Sequence, residues 1–147
     1  AVEGEFRLAQ PSEAPRLAEW IAAFSKDAHL PKPEQHSGGD ALKKAEELID
    51  ARRLYVWAVK GRPVAQAAVF GTDDIARVGM VYTPPEERGH GYASAIVAHI
   101  SQQQLDQGKL MCCLYADARN PVSNSIYRKI GYEFVARSSM YVLDAAA

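Results

Sequence analysis

Arg88-Gly89-His90-Gly91-Tyr92-Ala93-Ser94 is the stretch of this sequence whose residue types and spacing suit a charged ligand. It follows an apolar run that ends in Val81-Tyr82-Thr83 and a Pro84-Pro85-Glu86-Glu87 turn, and it opens an amphipathic segment. The first turn of a helix leaves main-chain N–H groups without acceptors and carries the positive end of the dipole, so it can hold phosphate oxygens. Gly89 and Gly91 let the backbone approach such oxygens with no Cβ in the way. Ala93 is small enough to keep that approach open, and Arg88 adds a charge at the rim. The alternative is a plain strand-to-helix turn in which glycine is only punctuation. A P-loop fits worse, because Gly91 is followed by Tyr92 and Ala93 rather than by Lys and Ser or Thr. A dinucleotide fingerprint fits worse too: Ser94 stands where a third Gly or Ala belongs, and the strands before the loop read as antiparallel.

The rest of the chain supplies the elements that must position this loop. A short strand over 4–9, with Phe6 and Leu8 on one face, precedes Pro11, and Ser12 can cap a helix with Pro15 in its first turn. Leu17, Trp20, Ile21 and Phe24 then recur at i, i+3, i+4 and i+7, a core-facing stripe. Pro31, Pro33, Gly38 and Gly39 mark a loop, and Asp40 can cap a second helix with Leu42, Ala45 and Ile49 on one side. Strands follow over 54–59, 64–70 and 75–83, separated by Lys60-Gly61-Arg62-Pro63 and Gly71-Thr72-Asp73-Asp74, an antiparallel meander ended by Pro84-Pro85. Ala93, Ile96, Val97 and Ile100 give the next helix its apolar side, and Gly108 stops it. A strand over 110–116 comes after that helix and so can lie parallel to the 75–83 strand. A last helix over 120–130 closes at Gly131, and one or two strands follow over 134–142.

Composition narrows the class. The chain has 147 residues, 48% hydrophobic and 24% charged, which fits a single globular domain over 1–147. A formal net charge of -1 gives no field to steer nucleic acid or an anionic membrane. No apolar run reaches the ~20 residues that span a bilayer. Cys112 and Cys113 are neighbours on a strand, point to opposite faces, and have no Cys or His pair at ligand spacing, so no metal is expected. Without a disulfide framework, a reducing cytoplasm is the natural compartment. Residue 1 is Ala rather than Met, which suits a trimmed chain or a piece of a longer one.

Arg88-x-x-Gly91-x-Ala93, placed after a strand and opening a helix, resembles the acetyl-CoA-binding motif of the GNAT N-acetyltransferases. Asn120-x-x-Ser123-x-x-x-Tyr127-x-x-x-Gly131-Tyr132, after the next strand, is similar to that family's second element. The order of elements matches the family over nearly the whole chain. The resemblance implies an α/β fold with a mixed, mostly antiparallel sheet flanked by helices on both faces, in the order β-α-α-β-β-β-α-β-α-β-β. It also implies that Val81, Tyr82 and Thr83 lie along the pantetheine arm of acetyl-CoA, that Gly79 begins a bulge in that strand or simply packs closely, and that Arg88, Gly89, His90, Gly91, Tyr92, Ala93 and Ser94 cradle the diphosphate through main-chain N–H groups. Asn120 and Asn124 would bond the pantetheine, or one of them would cap the last helix.

The implied reaction is direct attack of an amine on the thioester. At pH 7 only roughly 1 in 2,500 molecules of a lysine-like amine carries a free lone pair, so shedding the proton costs about 4.6 kcal/mol. A thiolate leaves, and Tyr127 matches the family tyrosine that would protonate it, since a phenol keeps its proton at pH 7. A main-chain N–H near Val81 or Tyr82 would face the developing oxyanion. Tyr82, Asp73, Asp74, Glu86 and His36 all remain candidates for the base. The acceptor would be a small-molecule, peptide or protein amine, and the terminal strands offer a route to a homodimer. A GNAT-like module that binds acyl-CoA without turnover is the competing reading, and Tyr127 favours the enzyme.

Overall fold

The computed structural model describes residues 2–27, 38–114 and 121–132. They belong to two compact units, Ala1–Leu114 and Tyr115–Ala147. The first carries strand β1 (Glu5–Leu8), helices α1 (Ala14–Asp27) and α2 (Gly38–Asp50), strands β2 (Leu54–Val59), β3 (Arg62–Gly71) and β4 (Ile75–Tyr82), helix α3 (Tyr92–Asp106) and strand β5 (Met111–Leu114). The second carries helix α4 (Pro121–Ile130). The order agrees with the expected one as far as α4. Residues 134–142, expected to be strands, lie outside the described residues, as does Asn120.

Five strands form one sheet in the order β1-β2-β3-β4-β5. Neighbours are antiparallel up to β4, and β5 runs parallel to β4 with Ile75 opposite Met111 and Val78 opposite Leu114. A parallel neighbour cannot be reached by a hairpin, so α3 makes the crossover. Alternation along the strands assigns the two faces. Leu54, Val56 and Ala68 join Leu17, Trp20, Ile21, Ala41, Ala45, Leu48 and Ile49 of α1 and α2 in one core cluster. The residues between them face α3, where the His99 ring lies 5.1 Å from that of Trp57 and 5.7 Å from that of Phe6. Ile96, Val97 and Ile100 of α3 are fully buried. Each such aliphatic side chain contributes about 1.5–3 kcal/mol by leaving water.

Local details depart from the sequence reading in instructive ways. Ser12 does not cap α1. It lies within a 3-10 turn, Pro11–Glu13, and the Glu13 carboxylate instead accepts the Gln10 N–H at 2.8 Å. The Arg7 guanidinium from β1 holds the same carboxylate at 2.7 and 2.9 Å, so a bidentate pair joins strand to helix entry. Asp40 lies in the first turn of α2, which starts earlier, at Gly38. Ala45 and Ile49 are buried as expected, but Leu42 is exposed, and Ala41 and Leu48 complete the buried stripe of α2 instead. At the end of α3, Gly108 donates to Leu105 O and Lys109 to Gln104 O, the paired bonds of a Schellman stop.

The Arg7–Glu13 pair makes a signed prediction. Burial raises the Glu13 pKa, but hydrogen bonds from Arg7 and from the Gln10 N–H outweigh it and hold the carboxyl below its ordinary range. A depressed folded-state pKa contributes stability above the unfolded value and loses it as pH falls through the folded one. Glu13→Gln is therefore expected to lose about 1–3 kcal/mol at pH 7. Its deficit against the parent should shrink steadily toward pH 3 in urea titrations, and a deficit independent of pH would contradict the assignment.

Candidate active site

Site construction begins in β4. Between the register pairs Gln66–Tyr82 and Ala68–Gly79, β4 spends two residues, Met80 and Val81, where β3 spends only Ala67. That is a β-bulge. It is centred on Met80, whose φ of 52° is left-handed and not a glycine's. The expectation that Gly79 itself begins the bulge is corrected by one residue. Gly79 is instead the close-packing position, where an added Cβ would stand 3.2 Å from the Phe70 ring. The bulge is held by burial: the Met80 side chain packs against the α1–α2 core, and the Gln66 amide donates to Met80 O at 3.2 Å.

Beyond the bulge, Val81, Tyr82 and Thr83 lead into a 3-10 turn, Pro85–Glu87, and then into α3. Arg88 folds back and its Nε donates to Thr83 O at 2.8 Å, with the guanidinium 5.8 Å from the Tyr82 ring centre. Trp20 of α1 lies 6.5 Å from the same ring. Glu87 forms an ion pair with Arg62 at the start of β3, which fastens the turn to the sheet. The structure thus brings Tyr82 and Thr83 beside Arg88.

The loop itself reverses the chain. Gly89 and Gly91 have φ of 88° and 82°, values that other residues rarely adopt. Gly91 is the N-cap of α3, and its carbonyl accepts the Ala95 N–H at 3.0 Å. Ala95 is accordingly the first residue whose N–H enters the helical ladder, which leaves those of Tyr92, Ala93 and Ser94 at an open helix start. Gly89, His90 and Gly91 are exposed, and an added Cβ on Gly89 would meet nothing within 4 Å. The His90 ring stacks on buried Tyr92 at 5.2 Å, and its Nδ1 lies 3.1 Å from Glu87 O, so both side chains serve the loop.

These features fit a diphosphate carried on an extended arm. Among the described residues Gly89, His90 and Gly91 are exposed at the helix start, its first amides have no helical acceptor, and Thr83 Oγ1 at the strand end is buried with no hydrogen-bond partner. An extended ligand arm beside Val81–Thr83 would supply one. Among the described residues no group of three His, Cys, Asp or Glu side chains could hold a metal ion, and no helix is long and apolar enough to cross a membrane.

The other candidates fall on other parts of the chain. Asp73 and Asp74 sit in the β3–β4 turn, at the opposite end of β4 from Val81, and both are exposed. Glu86 is exposed in the 3-10 turn. His36 lies outside the described residues. Tyr127 is in α4, half-buried, where burial pushes its phenol pKa up; its ring lies 6.5 Å from that of Tyr132. Asn124 also falls on α4. Sequence reasoning missed Arg62, Gln66 and Met80. A lone Gln in an otherwise apolar strand was the one available signal, and nothing in the sequence marks Met80 as left-handed.

With this geometry in place, comparison with known proteins identifies the class. Residues 55–142 match the model of the FR47-like protein family, more than half of the chain. The chain belongs to that family, a relative of the GNAT N-acetyltransferases. No curated protein matches it. Among solved structures it is similar to a probable acetyltransferase (13% identity, TM-score 0.78, 95% of this chain and 97% of that one). It is also similar to a predicted acetyltransferase with acetyl-CoA from Clostridium acetobutylicum (14%, 0.70, 94% and 95%). A third is the ribosomal-protein-alanine N-acetyltransferase from Brucella melitensis biovar Abortus 2308 (18%, 0.69, 95% and 97%). At these identities the likeness establishes the fold.

The loop geometry is testable without a ligand. Gly91→Ala places a Cβ in left-handed backbone and 3.3 Å from Val2 Cγ2. It is expected to cost about 1–2 kcal/mol in chemical denaturation. An unchanged midpoint would show that Gly91 is not held left-handed.

Proposed function

We propose that this protein is an acetyl-CoA-dependent N-acetyltransferase that acts on a primary amine. The observation that carries the reading is the bulged strand β4 leading through Thr83 and the Pro85–Glu87 turn to a glycine-capped helix start, with Gly89, His90 and Gly91 exposed among the described residues. One stretch of chain thereby offers strand groups to a pantetheine arm and main-chain N–H groups to a diphosphate. Membership of a GNAT-related family supports it, and so does a structural neighbour that carries acetyl-CoA.

In the proposed reaction the neutral amine attacks the thioester carbonyl, the C–N bond forms, and the C–S bond breaks. A main-chain N–H at Val81 or Tyr82 donates to the carbonyl oxygen as charge grows there. Tyr127 gives its proton to the departing sulfur. Its raised pKa suits an acid role, because the phenol stays protonated well above neutrality. The amine's own proton leaves to water or to a base drawn from groups near Tyr82. Arg88 fixes the strand-to-loop corner through Thr83 O and adds positive charge beside the diphosphate. Asn120 and Asn124 complete the proposed pantetheine contacts.

Acetyl-CoA should raise the thermal midpoint, since a ligand that binds only the folded state stabilises it, whereas ATP and NAD should not. The reverse pattern would remove the acetyl-CoA reading. Tyr127→Phe should lower kcat by about a hundredfold or more while leaving the KM for acetyl-CoA near the parent value. A parental kcat would take Tyr127 out of the acid role.

A further inference from the structure

Gln66 is fully buried in the middle of β3, on the face that packs against α1 and α2. Its neighbours along the strand are Ala65, Ala67 and Ala68. Its Nε2 donates to Met80 O, the carbonyl at the centre of the β4 bulge, while its Oε1 has no hydrogen-bond partner among the described residues. The acceptor at Met80 decides which end of the amide is which, because the reversed amide would set oxygen against oxygen. A buried amide with one end unpaired is a poor stabiliser, since the orphan oxygen loses its water at a cost of about 1–3 kcal/mol. A leucine would fill the same space without that cost, so packing does not explain glutamine here.

The bulge does explain it. A bulge leaves part of the ladder unpaired, and Met80 at its centre is left-handed at φ 52°. Gln66 reaches across from the register position opposite Tyr82 and satisfies that carbonyl from the side. Without the donor, Met80 O would lose this part-buried hydrogen bond, and the left-handed Met80 would gain by relaxing toward a regular register. Such a slip would turn Val81 and Tyr82 to the opposite faces of the sheet.

We propose that Gln66 is a positioning residue whose side-chain amide locks the Met80 bulge and thereby sets the direction of the Val81–Thr83 strand toward the thioester. This inference rests on the acetyl-CoA reading and assigns one of its determinants. Gln66 touches neither acetyl-CoA nor the amine. It acts through Met80.

Two variants test it in the full chain. Gln66→Leu keeps the volume and removes the donor, and it should fold cooperatively with kcat lowered about a hundredfold, the cost of a small misplacement of reacting groups. The KM for acetyl-CoA should change much less, because Gly89–Ser94 are untouched. Gln66→Glu restores a donor only when the carboxyl is protonated, and a buried carboxyl beside a carbonyl titrates above its ordinary range. The ratio of its kcat to that of the parent should therefore be highest at acid pH and fall by about tenfold or more as the carboxyl ionises. A ratio independent of pH, or a parental kcat in Gln66→Leu, would overturn the proposal; should Gln66→Leu fail to fold, the Gln66→Glu ratio decides alone. If the parent neither binds nor turns over acetyl-CoA, it is the functional reading that fails. The brace is then read from amide hydrogen exchange at Met80 and Val81, with faster exchange in Gln66→Glu at high pH supporting it and unchanged exchange refuting it.

Discussion

One extra residue in β4 governs how the candidate site is put together. From Ile75 to Val78 this strand is an ordinary member of the sheet, paired with β3 on one side and β5 on the other. At Met80 the pairing with β3 takes in two residues against one, and the chain beyond emerges with a new direction. Left-handed backbone at a residue with a long side chain is unfavourable in isolation. It persists because burial of the Met80 side chain against α1 and α2 and the hydrogen bond from Gln66 both depend on it. Helices α1 and α2, distant in sequence from the glycine loop, in this way shape the strand that leads to it.

Charge and backbone geometry then work in series along a short stretch. Arg88 closes the corner by capping Thr83 O, Glu87 ties the 3-10 turn back to Arg62, and two left-handed glycines deliver the chain to the start of α3. None of these contacts is a large energy by itself. Exposed ion pairs contribute at most about 1 kcal/mol. Their effect is to reduce the number of conformations open to the loop, so that the proposed ligand would meet amides already pointed outward and would not have to order them.

Much of the fold was legible because periodicity reports burial directly. The α1 stripe, the apolar side of α3 and the three-strand meander all read correctly, since 3.6- and 2-residue repeats follow from which side of an element meets the core. Caps were read less well. Ser12 has the right chemistry for an N-cap, yet Gln10 is the N-cap and Glu13, three residues on, accepts its N–H with a carboxylate that Arg7 holds in place. Leu42 reads as core by type and is exposed, since the rotation of α2 about its axis is set by the small residues Ala41 and Ala45 against α1.

The geometry of the glycine loop was legible because its requirements are local: the glycines at left-handed positions and the start of the helix beyond them are written within seven residues, 88–94. The crossover that makes β5 parallel to β4 was legible for the same reason, as chain length between strands limits their direction. The bulge was not. Its position depends on register between β3 and β4, and register is decided when a whole face of side chains settles against α1 and α2. Only in that packed state does Gln66, an ordinary polar residue in the sequence, come within hydrogen-bond reach of Met80 O.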